Sequence, residues 1–147
     1  MQWYIKTFEA LDKKELYGIL RLRAAVFVVE QDCPYQDVDN KDFKAVHLFA
    51  IDKDAVVAYT RIFYPGDYFQ ETAIGRVVTD LAYRHTGLGK ELMQKSIVYI
   101  KNHIRAKTIR ISAQLYLKKF YESFGFQQVG DSYLEDGIPH IGMLWRV

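Results

Sequence analysis

The segment from Ala73 to Ile104 restricts the fold more than any other part of the chain. Ala73 to Thr79 is apolar and β-branched and reads as a strand. A polar stretch follows, ending in Arg84-His85-Thr86-Gly87-Leu88-Gly89-Lys90. Leu92, Met93, Ile97, Ile100 and Ile104 then recur at helical spacing, with Lys90, Glu91, Gln94, Lys95, Lys101 and Asn102 on the other side. A strand that passes through a glycine-bearing loop into a long amphipathic helix implies a helix packed on a sheet. The same junction has chemical potential. A helix start offers free amides and the positive end of the helix dipole, and glycines let a phosphate approach the backbone. Arg84 and Lys90 add formal charge. The loop therefore suits a pyrophosphate, or it serves only as a tight strand-to-helix turn. It is not a Walker loop, because no Gly-Lys-Ser/Thr follows at the required spacing. Nor is it a dinucleotide fingerprint, whose third glycine would fall where Leu92 stands.

The remaining elements fall into place around this unit. Trp3 to Phe8 reads as a first strand. Asp12 and Glu15 have the spacing of a capping box, and Leu16, Ile19, Leu20, Val26 and Phe27 follow as a helical stripe. Arg23 lies on that stripe. It either snorkels to the surface or is buried and paired, with Glu30 as the local partner. Glu30 to Lys44 is polar and aperiodic and reads as a loop with one helical turn. Val46 to Ile51 and Ala55 to Tyr64 flank Asp52-Lys53-Asp54 as a hairpin, and Pro65-Gly66-Asp67 is a turn. Lys107 to Ala113 is a strand and Tyr116 to Phe124 a short helix ended by Gly125. Phe126 to Leu134 and His140 to Val147 are two last strands around Asp136-Gly137. This order predicts an α/β fold of the α+β type, with a mixed, largely antiparallel central sheet and helices on both faces. No linker, repeat or low-complexity tract divides the chain, so residues 1–147 are expected to form one domain.

Composition narrows the function classes. Lysine and arginine number 20 against 18 acids, a formal net charge of +2, without the concentrated basic face of a general nucleic-acid binder. Cys33 is the only cysteine, which excludes an internal disulfide and a cysteine-rich zinc site. No metal is expected. The N-terminus lacks the pattern of a signal peptide, and no apolar run is long enough to cross a bilayer. A cytoplasmic location is the expectation.

A second motif lies downstream, Gln114-x-x-Leu117-x-x-Phe120-Tyr121-x-x-Phe124-Gly125-Phe126. Together with Arg84-x-x-Gly87-x-Gly89 it resembles the GCN5-related N-acetyltransferase (GNAT) family. Val26-Phe27-Val28-Val29-Glu30-Gln31 with Cys33-Pro34-Tyr35, and Glu135-Asp136-Gly137-Ile138-Pro139-His140, are similar to its ElaA-like branch. The resemblance implies a GNAT-like sheet and direct transfer of acetyl from acetyl-CoA to a primary amine of a small molecule or peptide. It implies coenzyme A pyrophosphate on Arg84, His85, Thr86, Gly87, Leu88, Gly89 and Lys90. Pantetheine would lie along the backbone of Val77, Val78 and Thr79, with Gln114 beside the cofactor. It also allows a homodimer. Gln114 stands where many members have asparagine and Leu117 where many have alanine. Ala73 lies near where some members carry a base glutamate, which leaves the base open. The rival reading is a non-catalytic acyl-CoA-binding or sensing module.

Individual residues carry alternatives. Tyr121 shares a helical stripe with Leu117, Phe120 and Phe124 and is either core or the acid that protonates the departing thiolate. Base candidates are Glu30, His140 and Asp136, in that order. His47 is a weaker candidate, and a strand histidine is commonly structural. Cys33 is an idle thiol or an acyl relay. Glu30, Asp32, Asp37, Asp39 and Asp42 form either a solvated loop or an acidic rim that attracts a cationic amine.

Overall fold

The computed structural model describes all 147 residues. Seven strands form one sheet: β1 (Gln2–Thr7), β2 (Val46–Asp52), β3 (Ala55–Phe63), β4 (Thr72–Thr79), β5 (Thr108–Gln114), β6 (Gln127–Glu135) and β7 (Ile138–Arg146). Their spatial order is β1-β2-β3-β4-β5-β7-β6. Every neighbouring pair is antiparallel except β4 and β5. That parallel pair needs a crossover, and helix α2 (Leu88–Tyr99) supplies it. Helix α1 (Lys13–Arg23) follows β1, and the short α3 (Lys118–Glu122) follows β5. The expected mixed, largely antiparallel sheet is present.

Strand alternation divides the core between the two faces. Leu48, Ala58, Ile74 and Ile111 pack against Leu92 and Met93 of α2. Phe49, Tyr59 and Val78 pack against Ile19 and Leu22 of α1. α1 lies close to β3 because residue 18 is glycine; a Cβ there would be 2.8 Å from Val56 Cγ2. The predicted capping box starts this helix. Asp12 accepts the Glu15 amide at 2.7 Å, and Glu15 accepts the Asp12 amide at 2.9 Å. Beyond Arg23 the helix widens into π-type turns over Ala24–Glu30.

Arg23 is fully buried and paired, and its partner is not Glu30. Its Nε meets Asp37 at 2.9 Å and its Nη1 meets Asp42 at 2.8 Å. Arg61 binds Asp39 at 2.7 Å and Asp42 at 2.9 Å, and Arg76 Nε lies 2.8 Å from Asp37. Three arginines thus meet three aspartates beneath the loop between α1 and β2. Asp37, Asp39 and Asp42 are therefore neither solvated nor an acidic rim. The loop folds inward because arginines on α1, β3 and β4 need counter-charge once buried.

His47 is structural. Its Nε2 lies 2.9 Å from the Asp42 carbonyl and so donates to it, which leaves Nδ1 to accept from Tyr59 Oη at 2.6 Å. Burial holds its pKa below the ordinary histidine value. The folded state keeps His47 neutral while the unfolded chain takes up a proton. Its stabilisation is present above the unfolded pKa of about 6.5 and is lost as pH falls towards the folded value. The gap in urea midpoint between wild type and His47→Gln should shrink from about pH 7.5 to about pH 5. A gap independent of pH would contradict this.

Candidate active site

β4 and β5 are paired only at Thr72↔Ile109 and Ala73↔Arg110. Past that point the two strands separate. The cause lies in β4, where the register with β3 shifts between Tyr59 and Arg61 and Arg76 has φ +52°. A bulge of this kind bends a strand away from its neighbour. Val77, Val78 and Thr79 are left without a strand partner on the β5 side, so an extended ligand can pair with their backbone. A cavity of about 590 Å³ fills the gap.

At one end the cavity reaches the start of α2. Gly87 adopts φ +85°, a left-handed conformation that glycine reaches without penalty. The amide of Glu91 makes the first helical bond, to the Gly87 carbonyl at 3.0 Å. The amides of Leu88, Gly89 and Lys90 precede it and belong to cavity-lining residues. A Cβ on Gly89 would lie 3.7 Å from Phe120 Cζ and 3.9 Å from Thr79 Cγ2. A single Cβ would therefore fit in ordinary van der Waals contact, with little room beyond it on the side of Phe120 and Thr79. Arg84 and His85 line the same end, whereas Thr86 does not, its hydroxyl donating to the Tyr83 carbonyl.

At the other end the cavity reaches Tyr121 and His140. Tyr121 is 6% exposed, with its ring against Phe120 and Phe126. Burial pushes its pKa above the usual phenol value, so the proton stays on across the neutral range. His140 Nδ1 lies 2.7 Å from the Ile138 carbonyl and donates to it. Its Nε2 is 3.3 Å from Glu135. Glu135 also accepts from Ser112 Oγ at 3.2 Å, and Ser112 shares a hydrogen bond with Tyr133. The register explains this cluster, because His140 is opposite both Gln114 and Tyr133. Gln114 lines the cavity with its amide held by Gln31 at 3.2 Å.

Not every candidate base reaches the cavity. Glu30 is exposed, lies outside it and binds Arg84 at 2.5 Å. Asp136 lines it through the β6–β7 turn, where its carbonyl accepts from the Cys33 thiol at 3.3 Å. Cys33 is nearly buried. No group of three or more histidine, cysteine or acidic side chains is placed to hold a metal, and no helix is long and apolar enough to cross a membrane.

Residues 9–147 match the family model described as an acetyltransferase (GNAT) domain. The chain belongs to the GNAT family. It is 42% identical over 149 residues to protein ElaA of Escherichia coli strain K12, spanning 100% of this chain and 97% of that one. The crystal structure of E. coli ElaA superposes with a TM-score of 0.92 at 41% identity, covering 99% of each chain. A crystal structure of an acyl-CoA N-acyltransferase from Pseudomonas aeruginosa gives 0.92 at 40% identity, again over 99% of each. The GNAT resemblance expected from the two motifs is thus shown along nearly the whole chain. Sequence reasoning passed over Glu135 and Ser112 as site residues. The two-residue Asp136-Gly137 turn was a usable signal for Glu135, because such a hairpin sets residue 135 against 138 and 133 against 140.

Proposed function

We propose that this GNAT protein transfers the acetyl group of acetyl-CoA directly to a primary amine. One observation carries the reading: a single cavity runs from the free amides of Leu88, Gly89 and Lys90, along the unpaired edge of β4, to Tyr121 and His140. Its two ends suit the two ends of the cofactor. The pyrophosphate would take the helix amides, with Arg84 and Lys90 as counter-charge. The pantetheine amides would add to β4 as a strand does, on Val77, Val78 and Thr79. That places the thioester near the Tyr121 end. Glu30 is then an anchor that orients Arg84.

The chemistry follows from the groups gathered there. The amine arrives as a cation with pKa about 10.4, and its deprotonation at neutral pH costs roughly 4–5 kcal/mol. Glu135 attracts the ammonium, and His140 Nε2 takes its proton directly or through water. The nitrogen lone pair then attacks the thioester carbon. As the tetrahedral adduct collapses, the C–S bond breaks, Tyr121 gives its proton to the thiolate, and the extra proton still on the nitrogen is released through water, which restores the Tyr121 phenol. Burial raises the phenol pKa, and the same dry surroundings raise the thiol pKa, so the transfer stays matched.

Coenzyme A binding tests the cofactor half of this reading. A hydrogen bond to a charged phosphate contributes about 1.5–3 kcal/mol. Gly89→Val fills the approach to two or more such bonds and should weaken binding by at least about 100-fold in calorimetry. Unchanged affinity in a folded variant would remove the pyrophosphate from this loop.

A further inference from the structure

Glu135, at the end of β6, lines the cavity with a side chain that is 44% exposed. It pairs with no arginine or lysine; its one charged partner is His140. Arg76 lines the same cavity but is engaged by Asp37 and Asp39. The charge of Glu135 is therefore free for a ligand ammonium. A long acid that is half in solvent and tied to no cation has rotamers to lose when it binds, and that loss weakens capture.

Two contacts restrain it instead. Ser112 Oγ, on β5, donates to Glu135 Oε1 at 3.2 Å. His140 Nε2, on β7, lies 3.3 Å from Glu135 Oε2. An ionised carboxylate only accepts hydrogen bonds, so the single Ser112 proton points at Glu135. The bond between Ser112 and Tyr133 then runs the other way, with Tyr133 Oη donating to Ser112 Oγ. Tyr133, Ser112 and Glu135 thus form a chain of one sense, in which each bond strengthens the next. Without the phenol, the serine hydroxyl is free to turn elsewhere.

Tyr133 makes a second contact with the same site. It stands opposite His140 in the β6–β7 register, and the two rings stack with centroids 6.3 Å apart and an interplanar angle of 22°. That register shifts between Val129 and Tyr133, an irregularity of the kind that re-aims a side chain near a site. From there the tyrosine reaches across β7 to Ser112 on β5. It is 42% exposed and belongs to no part of the apolar core, so packing does not account for its placement.

We infer that Tyr133 and Ser112 are positioning residues of the amine site. Tyr133 acts on both groups that meet the ammonium. Through Ser112 it fixes the carboxylate that attracts the amine, and through its ring it holds the imidazole that takes the proton. This rests on the acyltransferase reading above and assigns the residues that set its amine end.

The test is steady-state thiol release from acetyl-CoA with putrescine, phenethylamine and alaninamide, continued with whichever of the three wild type uses best. Ser112→Ala and Tyr133→Phe should each raise the amine KM about fivefold, somewhat less than a buried hydrogen bond to a charged group would give. The kcat and the acetyl-CoA KM should stay within about twofold, the scatter of independent sites. The two substitutions together should do no more than either alone, and Ser112→Ala should have no further effect in Glu135→Gln, because both act through that carboxylate. Tyr133→Ala, which also removes the stacked ring, should in addition lower kcat by about three- to tenfold. An amine KM unchanged in Ser112→Ala and Tyr133→Phe, effects that add to that of Glu135→Gln, or a kcat equal in Tyr133→Ala and Tyr133→Phe overturns the inference. Amine-dependent release by wild type would leave the acyltransferase reading standing in each of these cases. Coenzyme A binding with none of the three amines acetylated overturns both. If Ser112→Ala does not fold, Tyr133→Phe, which removes one exposed hydroxyl, carries the same comparison with Glu135→Gln.

Discussion

Tyr121→Phe is expected to lower turnover at saturating acetyl-CoA and amine by roughly 10²–10⁴-fold, the usual contribution of a positioned general acid. The substitution removes one hydroxyl and little else. The ring keeps its contacts with Phe120 and Phe126, so core packing and melting temperature should hold. No hydrogen bond contributes to the raised phenol pKa, only burial and then the nearby Tyr116. The hydroxyl therefore has no protein partner to abandon. Coenzyme A affinity should be unchanged, because the positions proposed for the pyrophosphate and pantetheine lie elsewhere along the cavity. The loss would then appear in kcat. Turnover equal to wild type would return Tyr121 to the core alone.

Arg23→Met should show the largest loss of stability, about 3–5 kcal/mol. Methionine preserves most of the apolar stem but removes three hydrogen bonds, to Asp37 Oδ2, the Asp37 carbonyl and Asp42 Oδ1. Asp37 is 7% and Asp42 5% exposed, so neither can recover its hydration. Arg61 and Arg76 soften the effect by remaining on the same aspartates. In a chain this size the melting temperature should fall by roughly 10–15 °C. A fall below about 2 °C would show that the ion pairs barely exceed their desolvation penalty. The network also supports the site, since Arg76 belongs to both the bulge of β4 and the ion pairs. Loss of Arg23 should thus loosen the wall along which pantetheine is proposed to lie.

Features set by neighbours in sequence were legible, and features set by distant partners were not. The capping box at Asp12, the β6–β7 turn at Asp136-Gly137 and the glycine-bearing start of α2 each depend on a few adjacent residues, and each is present. Arg23 shows the opposite case. Its place on an apolar stripe left open whether it snorkels or is buried and paired, with Glu30 as the local partner, and the actual partners lie 14 and 19 residues away. Nothing in the intervening loop marks which acids turn inward, because Glu30 and Asp37 look alike until Arg61 and Arg76 are brought alongside. Glu30 itself meets Arg84 across 54 residues. Likewise, the gap between β4 and β5 arises from the conformation of Arg76, a residue type that gives no hint of a left-handed backbone. Glu135 lay between these limits: the hairpin register was readable, whereas its link to Ser112 needed the β5–β7 pairing.

The measurement closest to the central claim is thiol release from acetyl-CoA in the presence of primary amines, with the amine product examined by mass spectrometry. The account predicts release that depends on the amine, equals the amount of N-acetylated product and is lost in Tyr121→Phe. Saturable binding of acetyl-CoA with no amine-dependent thiol release across small amines, amino amides and peptides would contradict it and identify a protein that holds the cofactor without using it.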